Sequence, residues 1–130
     1  MKIIQFDCYF DASFSLKNNR GGFYILKENS LEKQSVRTLG AKTSDMAEAE
    51  ILHKLLDYIQ LRIEHRSKVC IYGDAQGLIL SILGEKKVGR DRYKSLRKKY
   101  HKMREYYELS IEFIPRRQNS YADALAKNGL

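Results

Sequence analysis

Cysteine is scarce, and the two present, Cys8 and Cys70, stand in no metal-ligand spacing such as C-x-x-C. Thiols placed this way in a reduced chain serve as small buried hydrophobes, and no function is assigned to them. Long hydrophobic runs are missing as well. The longest uncharged apolar stretch, Gly77 to Gly84, is far too short to span a bilayer, so membrane insertion is not expected. The opening MKIIQFDCYFD carries one lysine and then two acids inside its apolar run, which is unlike a secretory leader, and a reducing cytoplasm is the expected compartment. Repeats, low-complexity tracts and flexible linkers are absent too. The 130 residues suit a single domain, residues 1–130, able to bury one core without staples. A monomer is expected.

Acids are rare in one particular stretch. From Lys86 to Arg104 there are ten Lys or Arg and a single acid, Asp91, so this stretch carries +9 while the other 111 residues sum to −1. The chain's net charge of +8 is therefore one patch, read either as a contact surface for a polyanionic partner or as a solvated helix face that serves solubility. Tyr93, Leu96, Tyr100, Met103 and Tyr107 recur through it at steps of three and four. That spacing predicts an amphipathic helix packed by its tyrosines and displaying its cations.

Elsewhere the pattern alternates between strand and helix. Residues 2 to 11 read as a strand running into a turn at Asp11-Ala12-Ser13, and the cluster from Asn18 to Gly22 reads as a turn before a second strand at FYIL. A weaker third strand, through Gly40, follows a turn at Lys27 to Ser30 and completes an antiparallel meander. Ser44 is placed to cap a helix whose apolar residues Ala47, Ile51, Leu52, Leu55, Ile59 and Ile63 share one face. Val69 to Tyr72 forms a short strand ending at Gly73-Asp74, before a buried helix over Leu78 to Leu83. Beyond the basic helix come a strand at Ile111 to Ile114, Pro115, and a closing helix from Ser120 to Asn128 with Gly129 as its C-terminal cap. The fold class is α/β, a mixed five-stranded sheet in the order βββαβααβα with helices on both faces. Strands one and four, separated by a helix, should lie parallel and carry Asp11 and Asp74 at their carboxyl ends, where ligands collect in open α/β sheets.

Of the acids, Glu48 is singled out by geometry alone. At 100° per residue it falls within the arc of Ala47, Ile51, Leu52, Leu55 and Ile59, whereas Glu50 points the opposite way. A carboxylate facing the core requires a metal, a salt bridge to a core-facing Arg or Lys, or a route for its side chain back into water. Asp11 has a structural explanation in an Asx-type turn, Asp74 in capping the next helix, and Asp123 in the first turn of the last helix, with Asn119 or Ser120 as its cap. All four can nonetheless converge. Two carboxylates about 5 Å apart repel by roughly 3 kcal/mol at an effective dielectric near 20, so such a meeting calls for a divalent cation of the Mg²⁺ or Mn²⁺ type.

These residues, in this order, resemble the type 1 ribonuclease H family over about residues 3 to 128. YFDAS with Gly21-Gly22 is similar to a strand ending in Asp-Gly-Ser with a glycine pair ten residues on. Ala47-Glu48-Ala49-Glu50-Ile51-Leu52 is similar to Ala-Glu-x-x-Ala-Leu, and Gly73-Asp74-Ala75-Gln76 to Thr-Asp-Ser-Gln. The run from Pro115 to Ala126 (PRRQNSYADALA) is close to the last motif of the family's shorter branch, allowing for one residue of spacing. The resemblance implies a ribonuclease H-like fold and an endonuclease that cuts the RNA strand of RNA/DNA hybrids, leaving a 5′ phosphate and a 3′ hydroxyl. Asp11, Glu48, Asp74 and Asp123 would be catalytic and would hold two Mg²⁺ or Mn²⁺ ions. Nucleic acid would be contacted by Ser13, Ser44, Gln76, Arg116, Arg117 and Asn119, and its DNA strand gripped by Lys86, Lys87, Arg90, Arg92, Lys94, Arg97 and Lys98 of the basic helix. Double-stranded RNA is a further candidate partner.

The chain also departs from the family. Longer bacterial members carry a histidine in the loop before the last carboxylate; here that loop reads Pro115-Arg116-Arg117-Gln118, and His53, His65 and His101 lie elsewhere. Slower product release, or an arginine serving instead, is implied. Ser44 and Asp45 stand where the family often has asparagines, and Ala12 and Ala75 replace a glycine and a serine. Two other functions stay open on these residues: a hybrid or double-stranded RNA binding module with little catalysis, and a DNA-directed nuclease such as a junction resolvase.

Overall fold

The computed structural model describes residues 3–84 and 92–129. Its sheet has five strands, β1 (Gln5–Phe14), β2 (Asn19–Lys27), β3 (Ser30–Thr38), β4 (Lys68–Gly73) and β5 (Glu108–Phe113), in the spatial order β3-β2-β1-β4-β5. The first three pair antiparallel, while β4 pairs parallel with both β1 and β5. Four helices complete the order: α1 (Ser44–Arg62), α2 (Gln76–Ile82), α3 (Lys94–Met103) and α4 (Ser120–Asn128). The expected element order and mixed sheet are both present.

Strand alternation sorts the helices between the two faces. Phe6, Cys8 and Phe10 of β1, Phe23 and Ile25 of β2, Val69 and Ile71 of β4, and Leu109 and Ile111 of β5 are all buried and point to one side, where α1 covers them with Ile51, Leu52, Leu55 and Ile59. Two successive glycines show the same division. A Cβ on Gly21 would lie 2.6 Å from the Ile51 side chain on α1, and one on Gly22 would lie 2.8 Å from the Leu125 Cβ on α4. Helices thus approach β2 from opposite sides within the width of one residue, and only a residue without a side chain allows both. No helix among the described residues is long and apolar enough to cross a membrane.

Several boundaries differ from expectation, each for a local reason. Asp11 does not end its strand: β1 loses β4 after the Tyr9–Tyr72 pair but keeps β2 through Phe14–Asn19, so the hairpin carries the chain past Asp11. Its turn lies at Ser15 to Asn18, where the Ser15 hydroxyl accepts the Asn18 N–H at 3.0 Å, and Asn19 to Gly22 already belong to β2. Thr43 rather than Ser44 caps α1, its hydroxyl accepting the Met46 N–H. Ala75 occupies the cap position of α2, so Asp74 is not its cap. β3 stops at Thr38, short of Gly40, and β5 begins three residues ahead of Ile111.

Tyr93, Leu96, Tyr100, Met103 and Tyr107 are all buried as a stripe, yet helix α3 holds only the middle three. Tyr107 lies beyond its end and donates its hydroxyl at the close of α1, to the Ile63 carbonyl at 2.8 Å and, at 3.2 Å, to the Ile59 carbonyl that also accepts the Ile63 N–H.

Candidate metal and nucleic-acid site

Where the parallel pairing of β1 with β4 runs out, the two strands separate and leave an opening at their carboxyl ends. Asp11 sits on β1 just beyond that point and is 2% exposed. Asp74 follows β4 directly. Glu48, one turn into α1, reaches the same place. Its Oε1 and the Asp11 Oδ1 accept the same backbone N–H, that of Ala12, at 3.2 and 2.9 Å. Asp11, Glu48 and Asp74 each offer an oxygen within 4.8 Å of the others. Asp123, in the first turn of α4, is outside this tight group but lies beside Asp11 and lines the same cleft, with the Lys127 ammonium 3.2 Å from its Oδ2.

Burial and neighbouring negative charge leave Asp11 and Glu48 hard to ionise. Loss of solvent, and then the neighbouring Asp11 charge, push the Glu48 carboxyl up to about 10, and burial followed by the Asp74 charge pushes Asp11 up to about 7. Among the described residues neither Glu48 nor Asp11 forms a salt bridge, which removes the core-facing Arg or Lys as an explanation for Glu48. Asp11 Oδ2 and Glu48 Oε2 are buried without a hydrogen-bond partner among those residues. An all-oxygen donor set with unpartnered lone pairs fits a hard divalent cation, which would supply the missing positive charge.

The cleft above the carboxylates has a volume of about 570 Å³ and is walled by Ser13, Ser44, Gln76, Tyr93, Arg116 and Lys127 among others. Four of the residues expected to contact nucleic acid, Ser13, Ser44, Gln76 and Arg116, therefore do face it. Arg117 is exposed nearby without lining it. Asn119 requires correction: it is 0% exposed, and its amide is spent inside the protein on the Phe10 carbonyl at 2.9 Å and on Asp74 at 3.4 Å. A side chain so enclosed has no surface to offer a nucleic acid.

On the basic segment, Lys94 and Lys98 are exposed, and Arg92 is exposed but held by Asp45 at 3.0 Å. Arg97 is half-buried and donates to the Ser81 carbonyl at 3.2 Å, joining α3 to α2. Lys86, Lys87 and Arg90 lie outside the described residues. Sequence reasoning missed Lys127 and Tyr93 as parts of the cleft. Lys127 could have been found as the residue one helical turn beyond Asp123, on the same face; Tyr93 carries no such signal, since its spacing marks it only as core.

A family profile described as reverse transcriptase-like matches residues 10–129. The chain belongs to the reverse transcriptase-like family. No curated protein sequence matches it. Among solved structures, ribonuclease H1 of the halophilic archaeon Halobacterium salinarum is similar at a TM-score of 0.81 and 20% identity, with 96% of each chain covered. The N-terminal ribonuclease H domain of a Mycobacterium tuberculosis protein follows at 0.73 and 20%, covering 97% of this chain and 93% of that one. LC11 ribonuclease H1, from compost, was solved in complex with an RNA/DNA hybrid and is similar at 0.70 and 21%, over 92% of each chain. The fold is therefore the ribonuclease H fold, as the ordered motifs implied.

Proposed function

We propose that the protein is a metal-dependent endoribonuclease that hydrolyses the RNA strand of RNA/DNA hybrids. The observation that carries this reading is the meeting of Asp11, Glu48 and Asp74 at the carboxyl ends of β1 and β4, with buried oxygens on Asp11 and Glu48 that no group among the described residues satisfies. The hybrid-bound structure of LC11 ribonuclease H1, on the same fold, supports the choice of substrate. Asp11, Glu48, Asp74 and Asp123 would hold Mg²⁺ or Mn²⁺, two ions in this reading. When bound, such ions make a water nucleophilic near neutral pH and stabilise charge on the leaving oxygen.

The chain's own groups do the remaining work. The Ala12 N–H holds Asp11 and Glu48 in one orientation, and Lys127 keeps a positive charge beside Asp123, at the side of the cleft that Arg116 also lines. Ser13, Ser44 and Gln76 present polar groups along the cleft, where a 2′-hydroxyl would separate RNA from DNA. Lys94 and Lys98 of α3 would meet backbone phosphates of the other strand, contacts that position a duplex without reading its sequence. Hydrolysis would leave a 5′ phosphate and a 3′ hydroxyl.

One observation favours a second reading, a binding module with little catalysis: none of the three histidines lines the cleft, and Arg116 stands in the loop where the longer family members have one. A labelled hybrid incubated with Mg²⁺ or Mn²⁺ decides between them. The wild-type chain is expected to release RNA fragments and Asp74→Asn to release at least a hundredfold less, roughly what removing one charge-stabilising group costs. Tight, salt-dependent binding with no cleavage in either metal would establish the binding module, and robust cutting of all-DNA duplexes would point to a DNA-directed nuclease.

A further inference from the structure

We propose that Asn119 is a positioning residue of the carboxylate site, whose buried amide sets the spacing between the Asp11 strand and Asp74 and so the site's affinity for a divalent cation. The inference rests on the metal-site reading above. Asn119 has an unusual conformation for its place. Asn119 occupies the position before α4, where asparagine is among the preferred caps, yet its backbone is not extended as caps are (φ −118°, ψ 25°) and its side chain bonds none of the free N–H groups of α4. The side chain turns inward instead. There its Nδ2 donates to the Phe10 carbonyl at 2.9 Å, one residue before Asp11, and to Asp74 Oδ2 at 3.4 Å. Both neighbours of that nitrogen are oxygens, so the reversed amide would set oxygen against oxygen, and the orientation is determined by its acceptors.

The main chain of the same residue begins the turn that carries the fourth carboxylate, the Asn119 carbonyl accepting the Asp123 N–H at 3.0 Å. One residue therefore joins β1 beside Asp11, the Asp74 carboxylate and the α4 turn bearing Asp123. Its Oδ1 is left buried and without a partner among the described residues. The side chain forgoes a helix cap and leaves its own oxygen unsatisfied, so the bonds it makes are those of its nitrogen, to β1 and to Asp74. Groups that orient metal-binding carboxylates commonly change metal affinity by ten- to a hundredfold when removed.

Calorimetric titration with Mn²⁺ of the wild-type chain, Asn119→Ser and Ala124→Gly tests this. Serine can cap α4 but cannot reach Asp74, and Asn119→Ser is expected to bind Mn²⁺ about ten- to a hundredfold more weakly. Ala124 is exposed on α4, and its replacement by glycine loosens the helix without touching the site, so Ala124→Gly is expected to keep wild-type affinity. Unchanged affinity in Asn119→Ser, or an equal loss in both variants, overturns the inference while leaving the metal site intact. A wild-type chain that binds no Mn²⁺ overturns the functional reading along with it. Should Asn119→Ser fail to fold, the Asn119 side-chain amide signals of the wild type are followed by NMR during a Mg²⁺ titration: they are expected to shift with site occupancy, and their constancy overturns the proposal.

Discussion

A single backbone N–H, that of Ala12, serves two carboxylates, and it is the only hydrogen bond that Glu48 receives among the described residues. Glu48 thus combines a core-facing position on α1 with a buried oxygen that has no partner among the described residues. Replacing it with glutamine keeps the shape and removes the charge. With metal stripped by chelator at pH 8, Glu48→Gln is expected to melt several degrees above the wild type, and to gain nothing when Mg²⁺ is added. The sign follows from the direction of the shift. Folding raises this carboxyl to about 10 from its ordinary value of 4.5, so the native state is not penalised at low pH and is penalised increasingly as pH rises through that interval. The advantage of the glutamine should accordingly shrink toward pH 5. Scanning calorimetry at the two pH values checks it, and a wild type that melts above the variant at pH 8 without metal would remove the argument for an uncompensated buried acid.

Helix α3 is where packing and charge are most cleanly divided. Leu96, Tyr100 and Met103 bury one side of it, while Lys94 and Lys98 remain exposed on another. Changing both lysines to glutamine should therefore leave the melting temperature almost unaltered and weaken hybrid binding, reducing the slope of log affinity against log salt by about 2 if each lysine meets one phosphate. An unchanged slope would place the duplex elsewhere. This division was legible from the steps of three and four in the tyrosine stripe, but where the helix stops was not. Tyr107 keeps the periodicity and leaves the helix because the α1 carbonyls of Ile59 and Ile63 supply a tertiary bond that no local pattern contains. Asp11 is similar. Its strand continues because β2 lies alongside, a long-range pairing that overrides the turn residues around it. Glu48, in contrast, was legible because an amphipathic helix specifies which residues share a face. Asn119 was misread since its type and place both suit a cap or a surface contact, and only the packing of α4 against β1 reveals an inward side chain.

At the scale of the whole molecule, a chain with net charge +8 gathers one buried and two half-buried acids at one end of its sheet. Positive charge draws a polyanion toward a site that would repel it unless the acids are neutralised first, so metal and substrate are expected to support each other's binding. The same arrangement couples stability to pH and metal together. Without metal, Asp11, raised to about 7 from 3.8, and Glu48, raised to about 10 from 4.5, hold protons in the folded state that the unfolded chain has already released. Between about pH 4 and 7 the folded state then binds more protons than the unfolded state, and stability falls as pH rises; from 7 to 10 Glu48 continues the decline. Mg²⁺ held as proposed would favour the ionised carboxylates and displace those protons, so its stabilising effect should be small at pH 5 and grow toward pH 8. Melting curves at both pH values, with chelator and with Mg²⁺, give this difference directly, and calorimetry in two buffers of unlike ionisation enthalpy counts the protons released. A metal effect as large at pH 5 as at pH 8, with no proton release, would show that the cation binds away from Asp11 and Glu48.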